Sequence, residues 1–256
     1  MNGDPLLSCR IKIDRAIKHF NDLTAENTAF GALNPYRILR EEDSVPSMRV
    51  YRVNMIQPIP DPWSAIVGDI IHNLKSTLDS LAASLVIRAG HTSKTALKET
   101  YFPIRGAESG LADEKASAFF RRAGGDVEKI IRRLQPYRDG KGHPLWQLNQ
   151  LNIIDKHRRI IAAYGDLMEI QVSHLPFPTT PAATLPFNNA PFPLKEGDEL
   201  LRVAFWEPHY DSHAHFVFQV SFNEPEIAER EALIPTLSQF INFVQRLVFI
   251  FEKRFF

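Results

Sequence analysis

Four polar side chains recur along residues 62–88 at spacings of three, four and three: Asp69, His72, Ser76 and Asp79. At about 100° per residue these spacings put all four on one side of a helix, opposite Ile66, Ile70, Leu74, Leu78, Leu81 and Leu85. An imidazole flanked by carboxylates suits general acid–base chemistry. His72 would carry the proton, and Asp69 and Asp79 would orient it. Asn73 and Lys75 stand beside that face as groups able to bind substrate. A second stretch, residues 144–163, is apolar almost all round, with Leu145, Trp146, Leu148, Leu151, Ile153, Ile154, Ile160 and Ile161, and is expected to be buried. Its polar residues Asn149, Asn152, Lys156 and Arg159 form a stripe, with Asp155 beside it. Buried polar groups need partners, and the first helix is the obvious supplier. Asn152, Lys156 and Arg158 are therefore expected to bind substrate, the two cations holding phosphate.

Two metal arrangements can be written. His209, Asp211, His213 and His215 would share one face of an extended strand. However, Glu207-Pro208 and Tyr210-Asp211-Ser212 read as a turn, where polar residues gather for backbone reasons. The other arrangement joins Asp69, His72, Asp79, Asp155 and His157 across the two helices, but lacks the Glu-x-x-His pairs of di-iron bundles. No metal and no cofactor are expected. A Gly-rich phosphate loop, a G-x-S-x-G elbow and a catalytic-cysteine context are all missing from the sequence.

The elements that must position these groups follow from periodicity. Residues 8–30 read as an amphipathic helix, 48–57 as a strand, and Asp61-Pro62 as the start of a helix running to about Arg88. A polar loop and Tyr101-Phe102-Pro103-Ile104 lead to a charged helix or helix pair over about 112–134, interrupted at Gly124-Gly125. After Pro144 and its helix the period becomes alternating, which predicts strands at 168–172, 201–205 and 216–222. Leu175–Leu194, rich in proline, reads as a long loop, and residues from about 226 as a final amphipathic helix. The expected class is α+β. A mainly helical core over 1–163 is followed, over 164–256, by an antiparallel sheet and a C-terminal helix packed on that core, all in one structural unit. The 48–57 strand is a candidate further member of the sheet.

Thirty Lys and Arg balance thirty Asp and Glu, so the chain as a whole exerts no pull on phosphate backbones or anionic lipid, and any nucleic-acid contact must be local. A single cysteine, Cys9, cannot close an internal disulfide and fits a reducing compartment. The N-terminus lacks the basic and apolar regions of a secretory signal, and the apolar run Leu247–Phe251 is too short to span a bilayer. A cytoplasmic protein with no membrane partner is the expectation.

Three segments carry a resemblance: G-D-I-I-H-N-L-K-S-T-L-D (68–79), L-Q-P-Y (134–137) and P-L-W-Q-L-N-Q-L-N-I-I-D-K-H-R (144–158). Together they resemble a family of bacterial proteins with a G-D-x-x-H-N-L-R-S-x-L-D helix, a segment like residues 101–104 and a D-K-H-R helix. Lys75 stands where that family often shows arginine, which keeps the charge and loses bidentate geometry. The family has no assigned activity and implies none. More loosely, the helical part is similar to the HEPN group of small helical domains, many of them ribonucleases. Their signature is arginine, a polar residue, three variable residues and histidine. Arg138-Asp139-Gly140-Lys141-Gly142-His143 matches that string, although its two glycines place it in a turn. The resemblance implies action on RNA or nucleotides. A competing expectation is a non-enzymatic interaction protein that dimerises through its apolar C-terminal helix and the aromatic, proline-rich loop, its polar helix faces forming a structural network.

Overall fold

Helical periods and alternating periods sort into two compact units. In the computed structural model, residues 4–42, 48–55, 57–157, 163–173, 183–186, 191–204 and 213–256 are described. One unit comprises Met1–Leu23, Ser64–Ile161 and Ile234–Phe256, and the other Thr24–Trp63 and Ala162–Leu233. The class is α+β.

The first unit is helical. Its centre is α2 (Pro62–Arg88), which is lined with Ile70, Ile71, Leu74, Leu78, Leu81 and Leu85, all essentially inaccessible to solvent. Burying a side chain of this size contributes about 1.5–3 kcal/mol, so this stripe alone explains why α2 is central. Around it lie α3 (Lys94–Lys98), α4 (Glu114–Ala123), α5 (Gly125–Leu134), α6 (His143–His157) and α7 (Leu233–Phe255). The start of α1 (Leu7–Ala32) packs on α2: Lys12 Nζ donates to Ser80 Oγ at 2.6 Å, and Ser84 Oγ donates to the Pro5 carbonyl at 2.8 Å. Phe251 of α7 meets Phe102 edge to face. By length and composition alone α7 could cross a membrane, which the Leu247–Phe251 run by itself could not; 44% of its most apolar window is buried inside the protein.

Caps fix the short helices. Asp113 accepts from Ala116 N at 2.7 Å to start α4, and Gly124, at φ +98°, separates α4 from α5 where the expected break lies. The last residues of the helix expected to run to about 163 lie outside the described residues. Helix α6 is described to His157, and β3 (Ala163–Ser173) begins where that helix was expected to end.

Among the described residues, the second unit holds two three-stranded antiparallel sheets where one was expected. Strands β1 (Tyr36–Glu42), β2 (Met48–Met55) and β5 (Glu199–Ala204) form the first, in the order β1-β2-β5. The order β4-β3-β6 forms the second, from β4 (Ala183–Pro186), β3 and β6 (His213–Phe222). The 48–57 strand does join the strand near 201, but that strand pairs with β2 and not with β3 or β6. Val53, Leu167, Leu194 and Leu200 make the core, with contributions from both sheets, and Tyr36 lies 4.8 Å from Phe218 between ring centroids. Two strands escaped the periodicity. Only Tyr36 and Ile38 of β1 are partly buried, and its charged outer half obscures the pattern; β4 sits inside the proline-rich stretch read as loop. The final helix starts at Leu233, later than expected. Residues 223–232 first fold back, with Phe222 N donating to Glu231 O at 2.9 Å and with Glu226 and Arg230 at φ +62°.

Candidate functional site

The sequence puts a glycine at position 68 of α2, and α6 uses the space. A Cβ built there would lie 2.7 Å from Oδ1 of Asp155 and about as close to its other carboxylate atoms, so this carboxyl group sits directly on the α2 backbone. Asp155 is half-buried. Its burial, reinforced by the nearby Asp69 carboxylate, raises its pKa above the ordinary carboxylate value, while His72 and Lys156 pull it back. Asp69, His72, Asp155 and Lys156 are thus one electrostatic group formed by two helices.

Asp69, His72 and Lys156 are exposed, and no hydrogen bond links them among the described residues. Asn73 is half-buried and donates to the Asp69 carbonyl at 2.7 Å, a backbone tie within α2. Asn152 is buried on α6. Arg158 lies outside the described residues, as does Arg159. Asp79, two turns beyond His72, directs its carboxylate elsewhere: Lys75 Nζ donates to both of its oxygens at 2.7 Å, and Phe102 N donates to Oδ1 at 3.1 Å. That arrangement ties α2 to the Tyr101–Ile104 segment and keeps the 8%-exposed Lys75 ammonium paired.

The other constellations resolve as follows. Arg138–His143 is a turn: Asp139 N donates to His143 Nδ1 at 3.0 Å, Arg138 lies over the Trp146 ring, and the His143 ring also lies against Trp146. Its glycines are required there, because a Cβ at Gly140 would collide with the Gln135 carbonyl and one at Gly142 would meet the Leu134 carbonyl at 2.9 Å. No three His, Cys, Asp or Glu side chains come together as a metal cage among the described residues. His209 and Asp211 lie outside the described residues, and His213 and His215 stand two positions apart at the start of β6, opposite Ser173 and Gln171 of β3.

Sequence reasoning overlooked a basic cavity in the same unit. Lys75 and Asn149 reach it from α2 and α6, and Lys94, Lys98, Lys115 and Arg122 reach it from α3 and α4. The signal was present. Lys94 and Lys98 are four residues apart, and Lys115 and Arg122 seven, spacings that put each pair on one helix face.

No family model, curated protein or solved structure matches this chain.

Proposed function

We propose that the protein acts on RNA or nucleotides, with His72 as the proton-transfer group of a phosphodiester cleavage. The attacking hydroxyl gives its proton to the imidazole as its oxygen bonds to phosphorus, the P–O bond to the leaving oxygen breaks, and that oxygen takes a proton from water. Asp69, one turn before His72, and Asp155, from the facing helix, hold the imidazolium by charge. Lys156 and Arg158 provide cations for the phosphate, and the resemblance to HEPN-like ribonucleases supports RNA as the substrate class.

One observation carries this reading. The His72 imidazole is exposed and has no side-chain hydrogen bond among the described residues, yet it lies within electrostatic reach of the half-buried Asp155. A polar face that served only to fix a helix crossing would spend its groups on each other, as Lys75 and Asp79 do. The test is cleavage of pooled RNA by wild type and by a folded His72→Ala variant: cleavage lost only in the variant supports the proposal.

Exposed side chains on α7 favour a second reading, in which the chain is a homodimer. Phe249 is 57% exposed and Ile250 50%, and on α1, joined to α7 by Arg10 and Glu252, Leu7 and Ile11 are exposed as well. Sedimentation of wild type and Phe249→Glu distinguishes it: a dimer dissociated by the charge supports it, and a monomer in both removes it.

A further inference from the structure

The basic cavity of the helical unit is not explained by the His72 chemistry. It is a cleft open to solvent with a volume of about 960 Å³, at the upper end of the roughly 300–1,000 Å³ typical of small-molecule sites. Six cations line it, Lys75, Lys94, Lys98, Arg105, Lys115 and Arg122, against the carboxylates Glu99 and Glu114.

How those charges are paired decides what would bind. Arg105 is held by both oxygens of Asp113, at 2.6 and 3.1 Å. Arg122 donates to Glu99 at 3.3 Å and to the Ala96 carbonyl at 3.2 Å, and Lys75 is held by Asp79. The side-chain ammonium groups of Lys94, Lys98 and Lys115 have no ion pair or hydrogen bond among the described residues. These three exposed ammonium groups share the lining with one further carboxylate, Glu114, since Glu99 is taken by Arg122, so a net positive charge remains to attract an anion. A single monoanion would satisfy one of them. Lys94 and Lys98 are one turn apart on α3 and Lys115 faces the cavity from α4, so satisfying all three takes several negative charges spread along a chain. Ammonium groups act as point charges and suit phosphate oxygens without demanding a planar, bidentate partner. Beside them, Lys75 Nζ lies 6.0 Å from the ring centroid of Tyr101, which is 60% exposed and free to take a stacked ring.

We propose that this cavity binds a linear oligophosphate, with Lys94, Lys98 and Lys115 on its phosphates. Tyr101 lies against the base where the oligophosphate is the tail of a nucleotide. The site stands independently of the proposed reaction at His72.

Calorimetric titration of the full chain with inorganic tripolyphosphate and with a nucleoside triphosphate tests this. Wild type is compared with Lys94→Glu/Lys98→Glu, an exposed-face substitution that should leave the fold intact, and with Lys141→Glu as a control outside the cavity. Saturable binding of tripolyphosphate, weakened at least tenfold in the double variant and unchanged in the control, is expected. Tyr101→Ala separates the sources: weaker nucleotide binding with tripolyphosphate unchanged points to a nucleotide, and no effect on either points to the phosphate chain alone. Absence of saturable binding, equal weakening in the control, or inorganic monophosphate binding as tightly as tripolyphosphate would overturn the proposal.

Discussion

Lys75 donates to both carboxylate oxygens of Asp79, one turn further along α2, while the same carboxylate takes the backbone N–H of Phe102. Asp79 is thereby a joint between α2 and the Tyr101–Ile104 segment. An Asp79→Ala substitution leaves a nearly buried ammonium without its partner, and should destabilise the helical unit by about 2–3 kcal/mol, part of the usual cost of breaking such a pair being offset by partial exposure of Asp79. Adding Lys75→Met should recover part of that loss. Urea denaturation of the two singles and the double gives the coupling, and additive effects would contradict a joint.

Gly68 and Asp155 form the other contact between elements that shapes the site. Gly68→Ala forces the Asp155 carboxylate to swing away from α2, and because that carboxylate ends a half-buried side chain the cost should be largely offset by the helix propensity gained, about 1 kcal/mol. Combining it with Asp155→Ala removes the clashing atoms, so the double variant should be more stable than Gly68→Ala alone. A double variant no more stable than the single would show that the space is limited by something else.

The pH response of Asp155 has a definite sign. Burial and Asp69 raise its pKa in the folded chain above the ordinary value of 3.8, so the folded state binds this proton more tightly than the unfolded state does. Its stabilising contribution is therefore complete below the unfolded value and is lost as pH rises through the folded one. Asp155→Asn cannot ionise and should melt above wild type near neutral pH, the gap closing as pH falls toward about 4. Melting curves across that range check it, and a variant less stable at neutral pH would reverse the sign.

Cys9 is fully buried, its thiol in contact with the Thr77 carbonyl, and burial pushes its pKa up to about 11. In native protein near pH 8 a thiol-specific reagent should label it only on unfolding, so its labelling rate should follow global opening. Rapid labelling of folded protein would show that α1 separates from α2 locally.

The sequence disclosed some of this and hid the rest for physical reasons. Long apolar stripes such as Leu74-Leu78-Leu81-Leu85 mark α2 unambiguously, and Gly124 marks the α4–α5 break. Strand partners were not legible. Leu201 and Val203 alternate in the same way whether they pair with β2 or with β3, and nothing local distinguishes the two. Within the site, the helical period placed Asp69 and His72 on one face. It could not show that Asp79 turns to Lys75, because that choice depends on Phe102, brought close only by folding. The basic cavity was missed because, although Lys94/Lys98 and Lys115/Arg122 each show helical spacing, nothing local says that α3 and α4 turn those faces toward one cleft.

The central claim is that His72 transfers a proton in RNA cleavage. It is tested most directly by single-turnover cleavage of a labelled RNA by wild type, His72→Ala and His72→Gln, with circular dichroism showing all three folded. The account predicts cleavage by wild type and a loss of about 100-fold or more in both variants, the usual worth of a general acid–base group, at unchanged melting temperature. Wild type that leaves RNA intact, or variants that cleave as fast as wild type, would contradict it.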